Sequence, residues 1–180
     1  MRIVKENTMA LMIDFQEKLV PAINNNESIV ENAVKLLNGL KVLGCPALFT
    51  QQYTRGLGMT VKSLQETQDE FSYFDKTSFS CLDNEAICEA IEQFGKDTII
   101  VTGMESHICV MQTVSDLLEK GYKVYVISDC IGSRTDFNKQ NGLERMKQEG
   151  AVISSVESVL FEMTRRAGTP EFKEISRIIK

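Results

Sequence analysis

A thiol, a carboxylate and an ammonium stand in this chain where acyl chemistry would need them. The segment Ile99-Ile100-Val101-Thr102-Gly103-Met104-Glu105-Ser106-His107-Ile108-Cys109-Val110 leads from an apolar strand, through a turn begun by glycine, to a cysteine that opens a helix. Free N–H groups and the positive end of the helix dipole favour a thiolate at Cys109. The same N–H groups bind the oxyanion formed when a carbonyl is attacked. Asp14 follows the apolar run 9–13, and Lys76 follows the run 71–74. A carboxylate beside a thiol accepts its proton, and a lysine between them holds the carboxylate ionised and stabilises the thiolate. A polar residue at one strand end is commonplace; the joint placement of three is what points to a site.

The elements that would position these residues alternate along the chain. Residues 9–13 form a continuous apolar run, as in a strand covered on both faces. Ser28 and Glu31 match a capping box for a helix that puts Ile29, Ala33, Leu36, Leu37 and Leu40 on one face. Gly44 ends that helix and Pro46 prevents its continuation. Residues 47–50 read as a second strand, 51–69 as a long loop or broken helix, and 71–74 as a third strand. Asp83 is the expected cap of a helix burying Ala86, Ile87, Ala90, Ile91 and Phe94. Residues 98–102 form a fourth strand, and a helix runs from about Cys109 to Lys120. Strands are expected at 123–127 and 151–154, with a helix between them capped by Asp136 and ended by Gly150. Thr169-Pro170 starts a last helix. Such alternation implies a parallel sheet with helices on both faces, whose ligands gather at the carboxyl ends of the strands.

Composition narrows the function classes. The chain has 180 residues and a net charge of −5, with no long basic run, so a nucleic-acid partner is not expected. No apolar run is long enough to span a membrane, and the first residues do not look like a signal peptide, so a cytoplasmic protein with one domain over residues 1–180 is expected. The five cysteines contain no C-x-x-C pair, which argues against a disulfide framework or a zinc knuckle. Cys45, Cys81, Cys88 and Cys130 are taken as structural.

Three motifs carry a resemblance to the isochorismatase-like cysteine hydrolases, closest to isochorismatase domain-containing proteins: Met12-Ile13-Asp14-Phe15-Gln16, Asp75-Lys76-Thr77-Ser78-Phe79-Ser80, and Gly103 through Val110. The subgroup is supported by Gln51-Gln52-Tyr53, Gly56-Leu57-Gly58, residues 129–134 and residues 171–175. The resemblance implies a three-layer Rossmann-like α/β fold with a six-stranded parallel sheet in the order 3-2-1-4-5-6. It implies Asp14 as general base, Lys76 as supporting cation and Cys109 as nucleophile. It also implies a cis, non-proline peptide between Met104 and Glu105, with the backbone N–H groups of Glu105 and Cys109 forming an oxyanion hole. The substrate would be a small amide or related acyl compound, cleaved without a cofactor through a thioester by a homo-oligomer. Nicotinamidases of the family bind a metal after the second strand; the stretch Gln51-Gln52-Tyr53-Thr54-Arg55 has no histidine, so no metal is expected.

His107, two residues from Cys109, does not face it and is excluded as a dyad partner; lining the pocket or a subunit contact is its expected place. Phe15, Tyr53 and Phe79 are candidates to wall the substrate pocket, with core packing as the alternative. Arg134 either binds a substrate carboxylate or makes a structural ion pair. Two other functions remain open: a binding protein on the same fold, and vinyl-ether hydrolysis through Asp14 alone.

Overall fold

Side chains alternate across a strand, so a strand buried on both faces feeds two cores. The computed structural model, which describes residues 2–180, shows this at β1 (Thr8–Ile13), whose six residues are all buried. Met9, Leu11 and Ile13 enter one core and Ala10 and Met12 the other. The strands β2 (Ala47–Gln52), β3 (Phe74–Lys76), β4 (Thr98–Met104), β5 (Lys123–Gly132) and β6 (Val152–Ser154) complete a parallel sheet in the order β3-β2-β1-β4-β5-β6. The fold is therefore the expected three-layer Rossmann-like one.

One layer contains α1 (Asn26–Leu43), α7 (Val156–Thr164) and α8 (Pro170–Ile179), packed through residues such as Leu36, Leu40, Leu160 and Ile175. The other contains α4 (Glu85–Gln93), α5 (Met111–Glu119) and α6 (Asp136–Glu149), packed through Ile87, Ile91, Val114, Leu117 and Met146. The chain changes direction across the sheet between β1 and β4, which opens a crevice beyond their carboxyl ends.

Several local expectations are corrected. Helix α1 begins at Asn26 behind Asn25, which has φ 57°; the Ser28 hydroxyl donates back to the Asn25 carbonyl (3.0 Å) and Glu31 pairs with Lys35, so no capping box closes. Residues 54–57 and 62–65 form short helices, α2 (Thr54–Leu57) and α3 (Lys62–Gln65), in the stretch expected to be a loop or broken helix. The third strand is shifted to 74–76, because β3 pairs only with Thr50–Gln52; Phe71 instead packs edge-on against Phe49. Asn84, not Asp83, caps α4, where Ala86 and Phe94 are exposed rather than buried. Thr135 caps α6, leaving Asp136 in its first turn to accept from Asn24. Strand β5 runs five residues beyond 127, and α7, capped by Ser155, was not anticipated. The Thr169 cap and Pro170 start of α8 stand as read.

Gly103 allows the close approach on which the crevice depends. It lies opposite Ile13, has φ 124°, and a Cβ there would stand 2.0 Å from the Ile13 carbonyl oxygen. Gly103→Ala must displace the strand ends that carry Asp14 and the cysteine turn. It should lower unfolding stability by about 3 kcal/mol or more, from backbone strain plus overpacking. Urea unfolding measures this; a midpoint equal to that of the wild type would show that this approach is not constrained.

Candidate active site

The crevice between β1 and β4 is the place where the three sequence-predicted groups meet. Asp14 takes a left-handed conformation (φ 56°) immediately beyond β1, a region that aspartate tolerates better than most residues. Its N–H donates to the Thr50 carbonyl at 3.2 Å, and its own carbonyl accepts from Gln16 N–H at 2.8 Å. The carboxyl group is thereby aimed into the sheet edge, and it is fully buried. Lys76 closes β3, and its Nζ donates to Asp14 Oδ2 at 2.9 Å. Thr50 Oγ1 donates to Asp14 Oδ1, also at 2.9 Å.

A buried ion pair survives only when further hydrogen bonds offset the loss of water. Lys76 Nζ also contacts Gln52 Oε1 (2.7 Å) and the carbonyl oxygens of Ser78 and Phe79 (both 3.2 Å). Gln52 is held in turn by Gln16, whose amide bonds both the N–H and the C=O of Gln52. Thr50, Gln16 and Gln52 were missed as site residues. Their polarity on a strand or after one was visible, but their adjacency to Asp14 and Lys76 follows only from the sheet order.

Cys109 does not open an ordinary α-helix. A π turn, Ser106–Val110, precedes α5 and places the cysteine in its fourth position, with Val110 N–H donating back to Glu105 O. Cys109 is 7% exposed, and the Asp14 carboxyl group is close enough to act on its thiol. This corrects the expected thiolate. Burial first, and the Asp14 charge second, push the Cys109 thiol up to about 12, against the pull of Lys76. A thiolate there would be a second negative charge in a dry site, so the group rests as a thiol beside a carboxylate. Burial also raises the Asp14 carboxyl above its ordinary range, opposed by Lys76 and by the hydrogen bonds it accepts. Burial, the largest single influence on the Lys76 ammonium, lowers it, but the attraction of Asp14 together with Cys109, Cys81 and the hydrogen bond to Asp14 raises it overall, and the group stays protonated.

The turn carrying Cys109 is braced by the side chains before it. Glu105, 7% exposed, accepts at Oε2 from Arg134 N (3.0 Å) and Nε (3.2 Å). Arg134 thus takes the ion-pair role. Ser106 Oγ donates to the Lys139 carbonyl, and Gly142 of α6 packs so closely on Ser106 that a Cβ would meet its carbonyl oxygen at 2.7 Å. His107 Nδ1 lies 3.0 Å from Ser133 Oγ, which engages it with the β5 end. The peptide between Met104 and Glu105 is cis. Of the pocket candidates, Phe15 is 1% exposed and belongs to the core with Met12 and Leu64. Tyr53 and Phe79 are half-exposed on the loops after β2 and β3, and the carbonyl of Phe79 is one of the acceptors for Lys76.

Cavities of about 320 and 380 Å³ lie away from these groups, one lined by Asp97, Lys123 and Tyr125 at the opposite strand ends, the other by Leu48, Phe49 and Phe94 at the β2 edge. Among the described residues no three His, Cys, Asp or Glu side chains cluster to hold a metal ion.

Comparison with known proteins places this geometry in a family. The isochorismatase domain model matches residues 8–158. The chain is 36% identical to the secreted isochorismatase effector Isc1 of Phytophthora sojae over 99% of its own length and 87% of that protein's. It is 32% identical to isochorismatase domain-containing protein 2 of Danio rerio, covering 99% of this chain and 89% of the relative. Among solved structures, the MAR1 ribonuclease from Caenorhabditis elegans superposes with a TM-score of 0.92 at 32% identity, covering 99% of this chain and 92% of that one. The chain belongs to the isochorismatase family.

Because the Asp14 charge helps hold the thiol up, Asp14→Asn should lower the Cys109 pKa from about 12 towards the ordinary thiol value. Site-resolved iodoacetamide labelling at pH 9 should then be faster at Cys109 in the variant than in the wild type. An unchanged labelling profile would mean that the two groups do not interact.

Proposed function

We propose that this isochorismatase-family protein is a metal-independent cysteine hydrolase of a small amide or related acyl compound, working through Cys109, Asp14 and Lys76. The observation that carries the proposal is a buried carboxylate, held by a buried ammonium, beside the Cys109 thiol at the carboxyl ends of β1 and β4. An acceptor for the thiol proton is thus at hand, as nucleophilic catalysis requires. A hydrolase is also what the family relationship supports.

The steps follow from the positions of the groups. Asp14 takes the thiol proton as Cys109 Sγ attacks the substrate's carbonyl carbon. The carbonyl electrons move onto oxygen, where the backbone N–H groups of Glu105 and Cys109 stabilise the negative charge. Collapse of the tetrahedral adduct breaks the C–N bond, and Asp14 gives its proton to the leaving amine. Asp14 then takes a proton from water, which attacks the thioester; the carboxylic acid leaves and the thiol is restored. Lys76 stays positively charged throughout and favours the ionised Asp14 from which each proton abstraction starts. Each proton abstraction needs an ionised Asp14, so the raised carboxyl pKa sets an acid limb above the ordinary carboxylate range: activity rises with pH through that pKa and falls below it.

His107 and the half-exposed Tyr53 and Phe79 are proposed to face the substrate. A homo-oligomer is part of the same proposal, supported by large exposed apolar side chains such as Phe137, at 79% exposure. So is a cytoplasmic setting, which agrees with five unpaired cysteines. No helix among the described residues is long and apolar enough to cross a membrane.

A panel of small carboxamides, with isochorismate and RNA beside them, tests the proposal. Turnover of an amide should fall roughly 10³-fold or more in Cys109→Ala and in Asp14→Asn, be insensitive to EDTA, and leave an acyl adduct on Cys109 visible by intact mass. Vinyl-ether hydrolysis that survives Cys109→Ala would replace the thioester route with chemistry on Asp14 alone. Binding without turnover of any compound would favour an interaction protein.

A further inference from the structure

Asp14 has a neighbour that the mechanism above leaves without a task. Thr50 is 1% exposed and sits in β2 opposite Ile13, one residue before Asp14. It holds Asp14 twice, by its carbonyl on the Asp14 N–H (3.2 Å) and by its hydroxyl on Oδ1 (2.9 Å). A β-branched side chain on a strand has few χ1 choices, so this hydroxyl is stiffly placed.

The direction of the hydroxyl proton is also set. Cys81 Sγ lies 3.9 Å from the same Thr50 oxygen, in a 3-10 turn after β3, and is wholly buried. Burial, with the charge of Asp14 behind it, pushes the Cys81 thiol up to about 11, so it remains a donor. With a donor on one side and a carboxylate on the other, the single Thr50 proton goes to Asp14 Oδ1. Lys76 holds Oδ2 from β3, and Cys109 approaches from the π turn. The carboxylate is thus pinned at both oxygens by groups from two strands.

We propose that Thr50 is a positioning residue for the hydrolysis: its hydroxyl fixes the carboxyl plane of Asp14 so that a lone pair stays aimed at the Cys109 thiol. The proposal rests on the cysteine-hydrolase function above. It also gives the buried Cys81 a task, since that thiol orients the hydroxyl. Without Thr50 Oγ1, the carboxyl group loses the anchor on Oδ1, keeps the Lys76 anchor on Oδ2 and is freer to turn about its Cβ–Cγ bond. The charged form loses a hydrogen bond, while the neutral form loses less.

The test reads Asp14 directly and needs no substrate. The protein is labelled with ¹³C at aspartate carboxyl groups, the Asp14 signal is assigned by its loss in Asp14→Asn, and it is titrated in wild type, Thr50→Val and Thr50→Ser. Valine keeps the shape and removes the hydroxyl; serine restores the hydroxyl. The Asp14 midpoint should rise by about one pH unit in Thr50→Val, the size of one hydrogen bond to a charged acceptor, and return to the wild-type value in Thr50→Ser. If the valine variant is unstable, Thr50→Ala is read in the same titration, where it should also raise the midpoint. A wild-type midpoint in Thr50→Val or Thr50→Ala, or a serine variant displaced as far as valine, would reduce Thr50 to packing and overturn the proposal. A Thr50-dependent midpoint in a protein that hydrolyses no amide would sink the hydrolase function while retaining the control of Asp14 by Thr50.

Discussion

The ion pair between Lys76 and Asp14 is the constraint around which this end of the molecule is built. Both side chains are withdrawn from water, and charges so placed destabilise a fold unless every remaining polar atom finds a partner. The partners come from separate parts of the chain. Thr50 and Gln52 contribute from β2, Ser78 and Phe79 contribute carbonyls from the loop after β3, and Gln16 secures Gln52 from beyond β1. The loops at the carboxyl ends of β1, β2 and β3 are therefore ordered by one electrostatic demand. The parallel sheet meets it by ending β2 and β3 side by side at Gln52 and Lys76, two residues beyond the level at which β1 gives way to Asp14.

This arrangement decides how the thiol works. A cysteine at the positive end of a helix next to a lysine is a familiar way to make a thiolate. Here the carboxylate neutralises the lysine, and burial disfavours any added charge, so the proton stays on sulfur. The consequence is a thiol that stays uncharged until something takes its proton; in the proposed hydrolysis that is Asp14. A buried thiol of high pKa is also protected from the oxidants and electrophiles that attack ambient thiolates.

The turn that carries the cysteine is held by a different set of forces. Glu105, Ser106 and His107 each reach across to the segment that follows β5 or to α6, through Arg134, Lys139 and Ser133. Three consecutive residues shortly before Cys109 are thus committed to bracing. This explains why the one histidine of the chain sits so near the thiol without engaging it.

Much of the fold was legible because its signals are local. The apolar run of β1, the inward face of α1, and the Thr169-Pro170 start of α8 depend on side-chain period and on neighbours a few residues away. Where local signals competed, the reading slipped: Ser28 matched a cap that Asn25 pre-empted, Asp83 and Asp136 lay one residue to the side of the true caps, and β3 was set by where β2 could pair with it. Asp14, Lys76 and Cys109 were found as chemical types at strand ends, with roles lent by family resemblance. The sequence by itself thus determined the alternation of elements, the two-sided burial of the sheet and the residues able to do chemistry. Only the tertiary structure decided the partners and charge states of those residues. Thr50 and Lys76 are 36 and 62 residues from Asp14, and a proton's affinity depends on distance through space and on exclusion of water, neither of which local pattern encodes.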